Sequence, residues 1–516
     1  MLTKALRLML VASVLACSMA GGGRGSASAL PPGDEAFGAF GILPPDVGFV
    51  VRMRDGRGVR EAHPELARLE SALSETFGSR VLATNWDAFV SEAGMDGRAL
   101  ADRLLGSDVI YAERPGPEGV EWVLALRVDE ATRSLLVERL RPAGASGGRA
   151  AFPSHGVVAA WREPYLIVGP IQRMRLADET LERFDAKDRR GTLAAQPHAV
   201  IPASGPAALE VAWVGRQADG PLGACQVTFR PGGVSVSFRH PGATWPWRAS
   251  AGPAPDHGLL EALAQGAIAA AVGNRWCGPL DATSPWDAVL GAGELDAAMR
   301  GNLGARWAVR MQAEARAGEP VVPAPAIALE VRDLPLAERQ WSAWAQRAAR
   351  ALAGRASMPV PMVEEDRAGG GAPIRVIPLE AIAERAFNGH PFARGAALAW
   401  AGASAHGRRW MVLATSANAC RDLRRALEAP KGSAGAGPAA AHEEGACDGQ
   451  ALAAMLGTWA SHAGSFAPDG PGEFAEGATL AARIADGVRS IRWRLRAQSP
   501  GTSTGLEGTV DVELLP

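Results

Sequence analysis

The sequence predicts an α+β protein made of two tandem related units, each a mainly antiparallel sheet with helices on one face. The main observation is that an ordered series of segments occurs twice, which is the signature of an internal duplication. An Ala-Gly pair at residues 93–94 precedes a helical pattern and the apolar run 109–111. A second Ala-Gly pair at 292–293 precedes a similar helical pattern and the run 307–309. Helical and strand-like patterns are mixed in both series, which indicates the α+β class.

The middle parts of the two series follow the same order. Residues 157–168 and residues 397–413 each contain two apolar runs joined by a short link, the pattern of a β-hairpin. Each predicted hairpin runs into an amphipathic helix, with Leu181 on the apolar face of the first helix and Leu423 on that of the second. Strands at 122–128 and 327–331 precede the hairpins.

The ends of the two series correspond less closely. Residues 225–238 read as two strands around the turn at 231–233, and residues 491–514 read as two strands joined by a Gly-rich link. The opening is the poorest match, because the second half lacks a counterpart of Leu43-Pro44-Pro45-Asp46 and offers only residues 262–266 in its place.

The length of the chain sets the number of domains. At 516 residues it exceeds what one hydrophobic core supports, so we expect units at 30–252 and 253–516, with a Gly/Ala/Pro linker at 431–441. The formal net charge of −2 and the absence of a dense basic stripe in the sequence predict no nucleic-acid partner.

The N-terminus predicts export. Lys4 and Arg7 precede an apolar run at 8–20, and the small residues Ala27 and Ala29 frame a cleavage site before Leu30. This is the layout of a secretory signal peptide at residues 1–29. The expected location is periplasmic or extracellular.

A second interpretation of the same end stays open. Residues 14–17, Val-Leu-Ala-Cys, resemble a bacterial lipoprotein signal in which Cys17 carries the lipid. Soluble export is slightly favoured, because Leu15 is not the usual residue just before the small one. Membrane attachment is expected only through a lipidated Cys17.

Four cysteines remain after cleavage at Leu30, namely Cys225, Cys277, Cys420 and Cys447. In an oxidising compartment they are candidates for two disulfides, with three alternative pairings. A buried free thiol is a fair alternative for Cys420, which lies on the apolar face of its helix.

Catalytic patterns in the sequence are weak. Residues 501–505 fit G-x-S-x-G, but a strand follows them where a serine hydrolase needs a helix. Residues 442–448 group His, Glu, Cys and Asp, yet their position after the linker favours a solvated segment over a metal site. We therefore predict no catalytic, cofactor-binding or metal-ligating residues, and no cofactor.

Fifteen tryptophans stand against two tyrosines. Trp161 and Trp400 occupy similar strand positions, which favours a core role. Trp245 and Trp247 flank a proline in a predicted loop and are the candidate partner contacts, with a structural role as the alternative.

Two short motifs carry a family resemblance. Residues 43–51, Leu-Pro-Pro-Asp-Val-Gly-Phe-Val-Val, lie just after the signal, and residues 93–96 read Ala-Gly-Met-Asp. With these motifs the chain resembles an uncharacterised family of exported bacterial proteins, of the domain of unknown function 3352 type. The resemblance implies a duplicated α+β protein and implies no activity, cofactor or catalytic residue.

The leading functional hypothesis is a non-enzymatic envelope protein that acts as a scaffold or binds a partner. That partner is an unidentified ligand or another envelope protein. The alternatives are an exported hydrolase whose site is assembled from scattered residues, and a lipid-anchored carrier of an apolar ligand.

Overall fold

The computed structural model describes sixteen parts of the chain. They are residues 42–63, 94, 96–117, 119–140, 143–146, 149–152, 156–186, 209–214, 222–240, 255–274, 297–315, 318–367, 373–386, 390–429, 443–497 and 506–515. The chain divides into two compact units, Met1–Gly242 with Leu514–Pro516, and Ala243–Glu513. The predicted boundary at 252/253, the signal peptide at 1–29 and the linker at 431–441 lie outside the described residues.

The first unit contains an antiparallel sheet and four described helices. Its strands are β1 (Phe49–Met53), β2 (Val109–Gly116), β3 (Gly119–Arg127), β4 (Ala143–Ser146), β5 (Arg149–Phe152), β6 (Val157–Arg162), β7 (Tyr165–Pro170), β8 (Leu209–Val214), β9 (Leu222–Arg230) and β10 (Gly233–His240). Its helices are α1 (Gly56–Ala62), α2 (Gly97–Leu105), α3 (Glu130–Leu140) and α4 (Arg175–Ala186). Neighbouring strands pair in the order β4-β5-β6-β7-β3-β2-β1-β8-β9-β10.

The second unit has a sheet of the same kind. Its strands are β11 (Ala269–Asn274), β12 (Leu303–Glu314), β13 (Val322–Val331), β14 (Glu364–Asp366), β15 (Ile374–Pro378), β16 (Ala397–Ala405), β17 (Arg408–Ala414), β18 (Glu443–Asp448), β19 (Val488–Ala497) and β20 (Leu506–Leu514). Its described helices are α5 (His257–Ala264), α6 (Ala297–Asn302), α7 (Leu334–Ala356), α8 (Glu380–Ala386), α9 (Ala417–Glu428), α10 (Gly449–Ser461), α11 (Ala463–Phe466) and α12 (Pro471–Asp486). The pairing order is β14-β15-β16-β17-β13-β12-β11-β18-β19-β20.

The two sheets share one topology. When the described strands are counted from the start of each unit, both sheets have the order 4-5-6-7-3-2-1-8-9-10. The predicted fold class, α+β with antiparallel sheets, is confirmed. A shared strand order is what a duplicated chain would have, and the duplication itself stays a prediction.

Helices cover both faces of each sheet, where the sequence predicts one face. In the first unit, α4 packs on the face that holds Val50 and Ile110, while α2 and α3 pack on the face that holds Val51 and Val109. Successive side chains of a strand point to opposite faces, so the helices lie on opposite sides of the sheet. The central strands β1 and β2 are accordingly apolar at consecutive positions, the pattern of strands buried on both sides.

The second unit repeats this arrangement. Helices α5 and α9 pack on the face that holds Ala308 and Val412, and α7 packs on the face that holds Trp307 and Met411. The opening strand of the second sheet is β11, and residues 262–266, the expected stand-in for the Leu-Pro-x-Asp motif, precede it. Residues 262–264 end helix α5, because the N-cap Asp256 starts a helix that runs through them.

A helical insertion distinguishes the second unit. Helices α10, α11 and α12 connect β18 to β19, whereas only residues 215–221 separate β8 from β9 in the first unit. Trp459, Phe466 and Phe474 from the insertion pack with Phe392 and His390, and the Trp459 indole donates a hydrogen bond to the Val321 carbonyl at 2.7 Å. Among the described residues, none of the helices combines the length and the apolar character needed to cross a bilayer.

Two tryptophans pack directly against strand glycines of the second sheet. A Cβ added at Gly445 would lie 2.0 Å from the Trp493 ring, and one added at Gly273 would lie 2.4 Å from the Trp307 ring. Each glycine is the cross-strand partner of the tryptophan that covers it. The rings therefore need these positions to lack a side chain.

We expect the substitution Gly445→Ala to destabilise the protein, because the new methyl group overlaps the Trp493 ring. Overpacking of this kind costs about 1–3 kcal/mol. The matched control is Gly457→Ala on helix α10, where nothing lies within 4 Å of the added Cβ; a helical Gly→Ala change adds about 0.5–1 kcal/mol of stability. Chemical denaturation of both variants measures the difference, and equal midpoints would contradict the packing argument.

Candidate functional site

Four polar residues gather at one end of the second sheet. Each of them lies two positions along its strand from a core residue of the face that α5 and α9 cover. The pairs are Asn274 with Val272, Arg306 with Ala308, Glu330 with Ala328, and Arg408 with Trp410. A two-residue step returns a side chain to the same face. The four side chains therefore share this face, at the strand ends. Together with Asp256, which caps α5, they form what we call the arginine site.

Both carboxylates of the arginine site are already engaged by backbone N–H groups. The Glu330 Oε2 atom accepts hydrogen bonds from the amides of Ala305 and Arg306, both at 3.0 Å. The register of β12 against β13 shifts between Leu303 and Trp307, and this irregularity turns the two amides toward Glu330. The Asp256 carboxylate accepts from the Leu259 amide at 3.2 Å as the N-cap of α5.

The two arginines of the site are loosely paired. The Nη1 atoms of Arg306 and Arg408 lie 3.8 and 3.6 Å from the same Asp256 Oδ2, and the Arg408 Nε atom lies 4.0 Å from Glu330 Oε1. These separations exceed hydrogen-bond distance. In the described part of the chain, neither guanidinium donates a hydrogen bond. Burial, and then the neighbouring Arg408, lower the pKa of Arg306.

Asn274 is the unsatisfied polar residue of the site. It is 9% exposed, and among the described residues neither the oxygen nor the nitrogen of its side chain has a hydrogen-bond partner. It is the cross-strand partner of Arg306, so the two side chains are neighbours on one face. An unpaired buried polar group costs about 1–3 kcal/mol. The arginine site therefore offers unused donors from three side chains and one unused acceptor.

A histidine–carboxylate pair lies beside the site. His257 is the residue after Asp256, and its Nδ1 atom lies 3.2 Å from Oε2 of Glu444, which is buried. The His257 Nε2 atom lies 3.6 Å from Glu261, and Arg494 lies 3.9 Å from Glu444. No group of three His, Cys, Asp or Glu side chains suited to a metal ion occurs among the residues that the structure describes.

The corresponding end of the first sheet is closed by hydrogen bonds. Arg52 donates to both oxygens of Asp108 at 2.9 and 2.8 Å, and the Tyr165 hydroxyl donates to Asp108 at 2.9 Å. Burial raises the pKa of Tyr165, so its hydroxyl stays protonated. Because Asp108 is already bound by two donors, this position is structural.

A second charged cluster of the first unit is also saturated. Arg114 donates hydrogen bonds to Asp46, Glu121 and Glu179 at 2.7 to 3.0 Å. The hydrogen bond to Glu179 is the largest cause of the raised pKa of Arg114. Asp46 belongs to the opening Leu-Pro-Pro-Asp motif, so this motif joins the start of the sheet to β2, β3 and α4 through Arg114.

Most residues singled out from the sequence lie outside the described part of the chain. This applies to Cys17, Trp245, Trp247 and Cys277, and also to residues 501–505. Cys225 lies on β9, and its side chain is outside the described set. Cys420 and Cys447 are free thiols, with Cys420 buried under the sheet. The predicted disulfide pairings otherwise stay predictions.

Trp161 and Trp400 lie where a role in the core predicts them. Trp400 is fully buried, and Trp161 packs on the equivalent face of the first sheet below Arg133. The arginine site was missed in the sequence, because its five residues span positions 256–408 and come together only through strand register.

We expect the two free thiols to differ in reactivity. Burial raises the pKa of Cys420 to about 12, and burial followed by the nearby Asp448 raises the pKa of Cys447. The thiolate is the reactive form, and it appears only as the pH approaches the pKa. Iodoacetamide at pH 8 should therefore label half-buried Cys447 before buried Cys420 in the folded protein, as followed by peptide mass spectrometry. Faster labelling of Cys420, or a Cys420–Cys447 cross-linked peptide, would contradict this assignment.

Comparison with known proteins gives no family assignment. No protein-family model matches the chain, no curated protein is significantly similar in sequence, and no solved structure is significantly similar in fold.

Proposed function

We propose that this protein is an exported, non-enzymatic binding protein of the cell envelope, and that its second unit holds a ligand by an oxyanion group at the arginine site. The proposed export is supported by the signal-like sequence at residues 1–29. The proposed binding is supported by one observation above the others: Arg306 and Arg408 lie side by side and donate no hydrogen bond to any described residue, next to carboxylates that backbone amides already occupy.

The chemistry of the site suits recognition. A guanidinium group has five N–H donors in a planar fork that matches a carboxylate or phosphate, and it does not transfer protons at ordinary pH. The arginine site as defined contains no hydroxyl or thiol nucleophile. The side chains of Arg306 and Arg408 are 15% and 26% exposed, so a small anion can reach both. Their partial burial strengthens the attraction relative to a surface pair.

The proposed export predicts a defined mature N-terminus. We expect the protein recovered from the envelope fraction of a bacterial host to begin at Leu30, because the small residues at 27 and 29 fit the signal peptidase. Mass spectrometry of the intact protein and of its N-terminal peptide makes the measurement. A lipid-modified Cys17 would establish the lipoprotein alternative, and an intact Met1 on envelope-free protein would overturn export.

The proposed binding predicts specific stabilisation by small oxyanions. Acetate and inorganic phosphate, each compared with chloride at equal ionic strength, should raise the melting temperature of the full chain. A ligand at about a hundred times its Kd adds about 2.7 kcal/mol. The Arg408→Gln variant should lose this response, because one of the two guanidinium forks is removed.

The matched control for that experiment is Arg409→Gln. Arg409 is the next residue on β17, is exposed, faces the other side of the sheet and donates only to the Arg332 carbonyl among its described contacts. This variant should keep the anion response in full. Equal responses in the wild type and Arg408→Gln, or no response beyond that to chloride, would overturn the proposed binding.

A further inference from the structure

We propose that the ligand of the arginine site is a peptide C-terminus, with its terminal carboxylate on Arg306 and Arg408 and its last peptide group on Asn274. This inference rests on the proposed oxyanion binding and names the class of ligand. The observation that carries it is the buried Asn274 side chain, which leaves both a donor and an acceptor unused beside the arginines.

The unused acceptor and donor of the Asn274 side chain determine which chemical group can pair with it. A side-chain carboxamide presents an oxygen acceptor and an N–H₂ donor next to each other. A peptide group presents the complementary C=O acceptor and N–H donor. A carboxylate alone supplies only acceptors, so it would leave the Asn274 oxygen unpaired. A free amino acid lacks the acylated nitrogen and its carbonyl, so it would leave the Asn274 nitrogen unpaired.

The spacing of the residues fits one short ligand. Asn274 and Arg306 are directly opposed on β11 and β12, and such pairs have Cβ atoms about 4.5–5.5 Å apart. The terminal carboxylate of a peptide is separated from its last peptide group by a single Cα. Arg408 comes from β17, two strands away from β12, and its guanidinium reaches the same Asp256 oxygen as that of Arg306. One carboxylate can therefore accept hydrogen bonds from the guanidinium groups of both arginines while the adjoining peptide group pairs with the Asn274 carboxamide.

The Asn274 side chain lowers the stability of the ligand-free protein, because it is buried without a hydrogen-bond partner among the described residues. Removing both polar atoms of an unpaired buried group is expected to be neutral or stabilising for folding. A leucine would suit this buried position better than an asparagine that has no partner. The asparagine is thus costly for stability and useful for binding.

The test compares four small ligands on the full chain by isothermal titration calorimetry. N-acetyl-L-alanine carries one peptide group and a free carboxylate, N-acetyl-L-alanine amide lacks the carboxylate, and acetate and free L-alanine lack the peptide group. We expect N-acetyl-L-alanine to bind about tenfold more tightly than acetate, since two further hydrogen bonds contribute about 0.5–1.5 kcal/mol each. Free alanine should be weaker than N-acetyl-L-alanine, and the amide should not bind.

The variant Asn274→Leu isolates the role of the carboxamide. It should reduce the preference for N-acetyl-L-alanine over acetate to near unity and leave the protein at least as stable as the wild type. Equal affinity of wild-type protein for acetate and N-acetyl-L-alanine would overturn the peptide assignment while leaving oxyanion binding in place. Equal binding of the amide would also overturn it. Absence of binding by every ligand would overturn both this inference and the proposed function.

Discussion

Burial of the strands on both sides is the constraint on which the rest of the structure depends. Helices cover the two faces of each sheet, so the middle of central strands such as β1, β2 and β17 must be apolar at consecutive positions. A charge placed there without a partner would be expensive. Charged side chains therefore collect at the strand ends, where Asp108 and Arg306 occupy matching places in the two units.

The two units satisfy these end positions in opposite ways. In the first, the Asp108 carboxylate accepts hydrogen bonds from Arg52 and Tyr165, and loss of one partner from such a buried pair costs about 3–5 kcal/mol. In the second, within the part of the chain that the structure describes, Arg306 and Arg408 donate no hydrogen bond and the Asn274 side chain has no hydrogen-bond partner. Local rules of protein architecture are most often broken where function requires it. The shared topology makes this difference informative, because one unit serves as an internal reference for the other.

The sequence predicted well the parts of the fold that depend on local patterns. The hairpin of β6 and β7 and the helix α4 follow directly from alternation and from three-to-four spacing. The opening strand of the second sheet was missed because β11 consists almost wholly of small residues, which carry no alternation. The placement of helices on both faces was also missed, although consecutive apolar residues such as Val50 and Val51 indicate it. The arginine site depends on register among β11, β12, β13 and β17, and register between distant segments cannot be read from one sequence.

The tryptophan-over-glycine contacts of the second sheet have a consequence for how this protein can evolve. The Trp493 ring fills the space that a side chain at position 445 would need, and the Trp307 ring fills the same kind of space at position 273. A larger residue at the glycine is acceptable only once the ring has become smaller, and a smaller ring alone leaves a cavity. Either substitution made alone is expected to destabilise the protein, so the glycine and the tryptophan of each pair are constrained to change together. Among related sequences the glycine and the tryptophan of each pair should therefore vary together.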